Sequence, residues 1–288
     1  MTTQLLVFGP GYSAQPIIAE AQQNGWRVFG TYRKEEKRLQ LETEDIVPID
    51  FQAGEIAKFN KQAPTHLLIS IAPKEDYDPT LAVWLKWLSG LQNIQSINYL
   101  SSTNVYGDHS GGWVEESTPP TPSLARGIRR QSAEKEWQSF ATENSTRVFI
   151  YRLAGIYGPG RNAFRALKAG RAKCIIKENQ VFSRIHVEDI KQTVWAAMTS
   201  NHSGGIFNLA DDNPTPPHEV IEAAAAMLGR PAPPREAWET ADLSEMARSF
   251  YLESKRVKNV KIKQELGVNL KYPTYQEGLK ALLKTDIL

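Results

Sequence analysis

Gln4-Leu5-Leu6-Val7-Phe8-Gly9-Pro10-Gly11-Tyr12-Ser13-Ala14 joins an apolar run to a GxGxxA turn, and an amphipathic stretch over residues 14–23 follows directly. A strand that passes through two glycines into a helix is the context in which this pattern marks a dinucleotide site rather than an ordinary turn. Gly9 and Gly11 permit the tight turn and let backbone approach a pyrophosphate, while small Ala14 permits close packing of helix on strand. The pyrophosphate is expected at the helix start near Tyr12 and Ser13, where unpaired N–H groups and the helix dipole favour an anion.

Outward from this turn the same rhythm repeats. Apolar runs at residues 26–32, 65–72 and 96–101 are followed by amphipathic stretches at 34–44, 80–91 and 126–142, and further strands are expected at 46–50 and 147–156. Leu67-Leu68-Ile69-Ser70-Ile71 is apolar on both faces, as a parallel strand covered by helices on both sides must be. These signals predict an α/β fold, a Rossmann doubly wound parallel sheet with a small C-terminal substrate lobe. After Tyr157 the pattern becomes mixed: Gly158-Pro159-Gly160, a short helix at 163–169, a strand at 205–209 and proline-rich turns at 214–217 and 231–234. The expectation is one domain over 1–288. Residues 1–156 form mainly the dinucleotide-binding core, and residues 157–288 form mainly a substrate lobe with returning core elements, laid across the sheet edge where ligands of such folds bind.

The second strand ends in Gly30-Thr31-Tyr32-Arg33-Lys34. NAD-binding folds place a carboxylate here to accept the ribose hydroxyls; Arg33 and Lys34 instead offer positive charge to a 2′-phosphate. NADP(H) is therefore the expected cofactor, with NAD kept open. Asp50, closing the third strand, is a candidate acceptor for the adenine amino group.

Composition bounds the partners. Thirty-four basic and 32 acidic residues leave a formal charge of +2 without long blocks of one sign, which offers no case for nucleic acid or a membrane surface. A small molecule is the expected partner, and a homodimer is the expected assembly if there is one. The opening strand pattern and the absence of a signal-peptide layout lead to a cytoplasmic expectation. The single cysteine, Cys174, reads as a small buried residue, and His66, His109, His186, His202 and His218 lack the spacing of metal ligands, so no metal site is expected.

Three further motifs appear in order: Ser101-Ser102-Thr103-Asn104-Val105-Tyr106-Gly107, Arg152-Leu153-Ala154-Gly155-Ile156-Tyr157-Gly158-Pro159-Gly160, and Arg184-Ile185-His186-Val187-Glu188-Asp189. With the glycine turn they make the chain similar, over nearly its whole length, to the extended short-chain dehydrogenase/reductase superfamily, the group that contains nucleotide-sugar epimerases and dehydratases. The resemblance implies that Ser102 holds the reacting oxygen and that Tyr157 and Arg184 belong to the substrate side. It also exposes departures. Sugar dehydratases carry an Asp-Glu pair just after that serine, whereas this chain has Thr103 and Asn104, which supply no carboxylate.

The family's Tyr and Lys, four residues apart on the next helix, are missing too. Aligned on Glu134, Arg126 takes the tyrosine place and Arg130 the lysine place, and no tyrosine occurs between Tyr106 and Tyr151. Arg126 keeps its proton at any workable pH, so it binds an anion rather than exchanging a proton, while Arg130 remains able to donate to the nicotinamide ribose. The chain thus resembles the atypical branch of the superfamily. An oxidoreductase or epimerase with a displaced proton donor is the expected function, with Tyr106, His109, Glu115 and Glu116 as donor candidates. The alternative is a non-catalytic NADP(H)-binding regulatory or scaffold protein.

Overall fold

The computed structural model describes residues 3–52, 59, 63–74, 77–91 and 93–286. Seven strands form one parallel sheet: β1 Gln4–Phe8, β2 Arg27–Tyr32, β3 Val47–Asp50, β4 His66–Ile69, β5 Ser96–Ser102, then β7 Arg147–Leu153 and β11 Gly205–Leu209, with the two-residue β6 Trp113–Val114 lying outside it. Their spatial order, β11-β7-β5-β4-β1-β2-β3, reverses direction beside β1. In a doubly wound sheet that reversal opens a crevice at the carboxyl ends of the strands, which is where a ligand is received.

Alternation along the strands explains the layers. Leu5 and Val7 point to one face, where Ile17, Ile18 and Ala21 of α1 Gln15–Gln23 and Leu41 of α2 Glu35–Thr43 cover them; Leu6 and Phe8 point to the other, against Leu81, Trp84 and Leu88 of α3 Pro79–Leu88 and Ala133, Trp137 and Phe140 of α4 Ala125–Glu143. The helix expected from residue 14 starts at Gln15. Residues 11–14 make a turn in which Ala14 and Gln15 both donate to the Gly11 carbonyl, and fully buried Ala14 lets the helix close on β1.

Two features of the C-terminal half depart from the sequence pattern. The strand expected over 147–156 divides at Ala154: β7 stays in the sheet, and β8 Gly155–Tyr157 leaves to pair with β10 Arg184–His186, so the chain turns upward over the crevice. Gly205–Leu209, grouped by its sequence position with the lobe, instead returns to the main sheet as the strand beyond β7.

The remaining elements build the lobe. α5 Ala163–Lys168, α7 Pro217–Met227 and α10 Tyr275–Asp286 share a small core of Tyr157, Phe164, Val220, Ala224, Leu279 and Leu282. β9 Cys174–Ile176 pairs with β12 Arg235–Ala237, with Cys174 buried, and a second cluster joins Ile175 to Ala241 and Tyr251. Below it, α6 Val187–Thr199 packs on the α1 face, α8 Glu245–Phe250 sits at the lip of the crevice, β13 Arg256–Val257 pairs with β6, and α9 Val260–Leu266 follows.

Candidate functional site

The cleft at the switch of strand order has a volume of about 550 Å³. Ser13 lines it from the glycine turn, Ser102 from the end of β5, Arg126 and Arg130 from α4, Tyr157 from the end of β8, Arg161 from the loop after it, and Arg184 from β10.

At the cofactor end the two turn glycines do different work. Gly9 has φ +80°, its N–H donates to Thr31 Oγ1, and a Cβ there would stand 2.7 Å from Ile71 Cγ1. It is held by the fold itself. A Cβ on exposed Gly11 meets nothing closer than the Gly9 carbonyl at 3.9 Å, so the fold leaves the space above Gly11 free, as the approach of a pyrophosphate requires. Tyr12 reaches across to donate its hydroxyl to the Pro159 carbonyl, 3.1 Å away, and so bridges the glycine turn to the loop after β8. At the adenosine end Arg33 and Lys34 are exposed, with the Arg33 guanidinium lying 4.1 Å over the Phe51 ring, and Asp50 accepts from the Gln52 N–H.

In the middle of the cleft, Ser102 caps a single 3-10 turn, Thr103–Tyr106, by accepting from the Asn104 N–H. Arg130 donates to the Tyr99 hydroxyl and the Leu100 carbonyl, which fixes its guanidinium beside the end of β5. Arg126 lines the same cleft: it donates to the hydroxyl and carbonyl of Ser249 and stacks 4.3 Å from the Phe250 ring, leaving a buried Nε without a partner. Arg184 donates to the Phe182 and Thr215 carbonyls, and burial presses its ionisation downward. Tyr157 is buried beside His186, its hydroxyl without a hydrogen bond, and desolvation raises its ionisation far above the usual phenol range.

The donor candidates named from sequence are not brought to this cleft. Tyr106 is fully buried and donates to Asn208 Oδ1 inside the core, because the 3-10 turn swings it behind Ser102 toward Arg152. His109 faces the Tyr106 carbonyl, Glu115 pairs with Lys258 on the surface, and Glu116 accepts from the Asn208 N–H of β11. His186 caps α6, accepting through Nδ1 from the Glu188 N–H.

Two residues that sequence reading passed over do line the cleft, Glu253 and Lys255. Their signal is short: in Glu253-Ser254-Lys255-Arg256-Val257 alternate residues share a face, which shows only once the segment is known to be extended. Beneath the cleft the Ser101 and Arg152 motifs meet at Glu134 of α4. Its carboxylate accepts from Ser101 Oγ at 2.5 Å and pairs with Arg152 at 2.8 Å, with side chains 4% and 3% exposed.

The profile of the NAD dependent epimerase/dehydratase family matches residues 5–210. A solved structure of a functionally unknown conserved protein from Silicibacter pomeroyi is 44% identical, covers 100% of both chains and superposes with a TM-score of 0.92. Human epimerase family protein SDR39U1, solved with NADPH, is 16% identical over 98% of this chain and 99% of its own, with a TM-score of 0.75. UDP-glucuronic acid 4-epimerase from Bacillus cereus, solved with NAD, is 16% identical over 98% and 96%, with a TM-score of 0.77.

Proposed function

The chain belongs to the NAD dependent epimerase/dehydratase family, and on that premise we propose that it is an NADP(H)-dependent oxidoreductase or epimerase acting on a small anionic substrate of the nucleotide-sugar kind. The observation that carries this reading is the charge of the cleft. Arg126, Arg130, Arg161, Arg184 and Lys255 line it, against the single carboxylate of Glu253. Guanidinium groups in a half-enclosed site suit phosphate or carboxylate, which they grip in two-pronged fashion.

The residues present fit a nicotinamide dinucleotide. Gly11 leaves room for the pyrophosphate, Ser13 and the start of α1 offer it donors, Asp50 stands at the adenine end, and Arg130 is placed to donate to the nicotinamide ribose. When bound, that group would supply a hydride acceptor or donor; Ser102 Oγ would hold the reacting oxygen, and Arg126 would orient the anionic end of the substrate.

Both nicotinamide carriers occur among the structural neighbours, in the human protein and the Bacillus epimerase named above. The reading takes NADP(H) because an exposed guanidinium, Arg33, stands over Phe51 at the end of β2, where the sequence offers positive charge instead of a carboxylate. A charge-assisted contact of this kind contributes about 1.5–3 kcal/mol. Calorimetry on Arg33→Ala is expected to show NADPH affinity about ten- to a hundredfold weaker with NADH unchanged; no loss of NADPH affinity relative to NADH would remove Arg33 from the 2′-phosphate site.

Arg126→Ala is expected to abolish the thermal stabilisation that UDP-sugars and small dicarboxylates give the parent protein. Equal shifts in parent and variant would remove Arg126 from the substrate site and favour the second reading, a dinucleotide-binding protein without chemistry. The burial of Tyr106 away from the cleft is what keeps that reading in play.

A further inference from the structure

Among the described residues, the cleft carries no tyrosine at the place where the family keeps its proton donor, and its one lining amine is that of Lys255. Lys255 is 8% exposed, lines the cleft, and holds Glu253 at 2.8 Å. The backbone aims this pair inward. In the extended run entering β13, Glu253, Lys255 and Val257 all face the cleft, while Ser254 and Arg256 are tied on the opposite side, Ser254 to the Asn179 carbonyl and Arg256 to the Gly111 carbonyl. The Ser254 N–H is held by Asp108, and Glu253's own carbonyl accepts from buried Gln180, so the segment is pinned from two directions. One carboxylate oxygen of Glu253, Oε1, is buried without any partner. A buried lysine whose partner carboxylate keeps an idle oxygen has both a place for a proton and a second acceptor for it.

Resting on the function proposed above, we propose that Lys255, backed by Glu253, is the group that exchanges the substrate proton in this cleft. In the oxidising direction the substrate O–H bond breaks: its proton passes to the neutral Nζ, its electron pair forms the C=O bond, and the carbon's hydrogen leaves as hydride to the oxidised nicotinamide dinucleotide. The ammonium returns the proton in the reverse direction. Arg126, whose charge is fixed, holds the substrate while Lys255 performs the exchange that Arg126 cannot.

The surroundings suit this role. Burial lowers the Lys255 ionisation from the usual lysine range; Glu253 and Asp108 oppose the fall, and Arg126 adds to it. The charged groups facing the amine are therefore one carboxylate in contact, Asp108 farther along the loop, and one guanidinium from α4.

Pyridoxal 5′-phosphate is a fitting probe, because its phosphate suits the arginines and its aldehyde reacts only with an uncharged amine. After reduction with borohydride and peptide mapping of the full chain, Lys255 is expected to be labelled at neutral pH faster than exposed lysines such as Lys74 and Lys86, with a labelling midpoint at lower pH. Glu253→Gln should lower that midpoint further, since it removes the charge that stabilises the ammonium. In assays with UDP-sugars and NADP(H), Lys255→Arg should keep NADPH affinity yet lose about a hundredfold or more of turnover. Labelling of Lys255 no faster than of exposed lysines, or full turnover in Lys255→Arg, overturns the proposal. Failure of the parent to bind NADPH overturns the cofactor reading instead and leaves the labelling result standing.

Discussion

Gly11→Val folds like the parent and loses nicotinamide dinucleotide binding, at least a hundredfold by calorimetry. Both halves of this expectation come from the same geometry. A Cβ at Gly11 has open space, its nearest neighbour being a carbonyl at 3.9 Å, so the unliganded protein has room where a side chain there would begin. Its φ is not in the left-handed region, so no backbone strain is added. What the side chain fills is the volume a pyrophosphate needs against the turn, and a ligand displaced there also loses the donors at the start of α1. Gly9 is the internal control. A side chain at Gly9 collides with Ile71 and sits at φ +80°, so Gly9→Val is expected to lower the melting temperature as well as binding. Normal NADPH affinity in folded Gly11→Val would remove the turn from the site.

Glu134→Ala is expected to lose about 3–5 kcal/mol of stability, because it leaves the Arg152 guanidinium charged, 3% exposed and without its carboxylate. Arg152 Nη1 already lacks a hydrogen-bond partner, and the Tyr106 ring lies 4.8 Å from the guanidinium. Ser101 Oγ would lose its acceptor at the same time. The double variant Glu134→Leu with Arg152→Met should recover most of the loss, since replacing a whole buried pair by apolar groups of similar size is often neutral. Chemical denaturation of the two variants checks this. A loss below about 1 kcal/mol in Glu134→Ala would show that water reaches the pair.

The same carboxylate ties together two motifs that lie far apart in sequence. Ser101, Glu134 and Arg152 are one hydrogen-bonded unit under the cleft floor, fixing the end of β5, α4 and the end of β7 to each other. The sequence makes each motif visible but not their meeting, because the contacts are between elements and no local pattern encodes them.

Other parts were legible for physical reasons. The glycine turn, the parallel strands and their covering helices follow from period-two and period-3.6 apolar spacing, which acts within a few residues. The division of the strand at Ala154 was not, because nothing local in residues 147–156 marks a break and the switch to β10 depends on a partner strand some thirty residues later. The donor candidates were misjudged for a similar reason. Tyr106, His109, Glu115 and Glu116 are near Ser102 in sequence, but a 3-10 turn directs Tyr106 into the core and the following loop carries the others away. Lys255 comes to the cleft from about 150 residues downstream, through pairing of β13 with β6.

The return of Gly205–Leu209 to the main sheet bears on how the protein is made. β7 carries Phe149 and Tyr151, and their rings are covered by Phe207 of β11. Until that last strand has left the ribosome, β7 is an apolar edge with its backbone groups unpaired, the kind of surface that recruits other chains. A fragment ending at 156 leaves that edge of β7 uncovered and is therefore expected to aggregate where the full chain does not, which size-exclusion chromatography of the two would check.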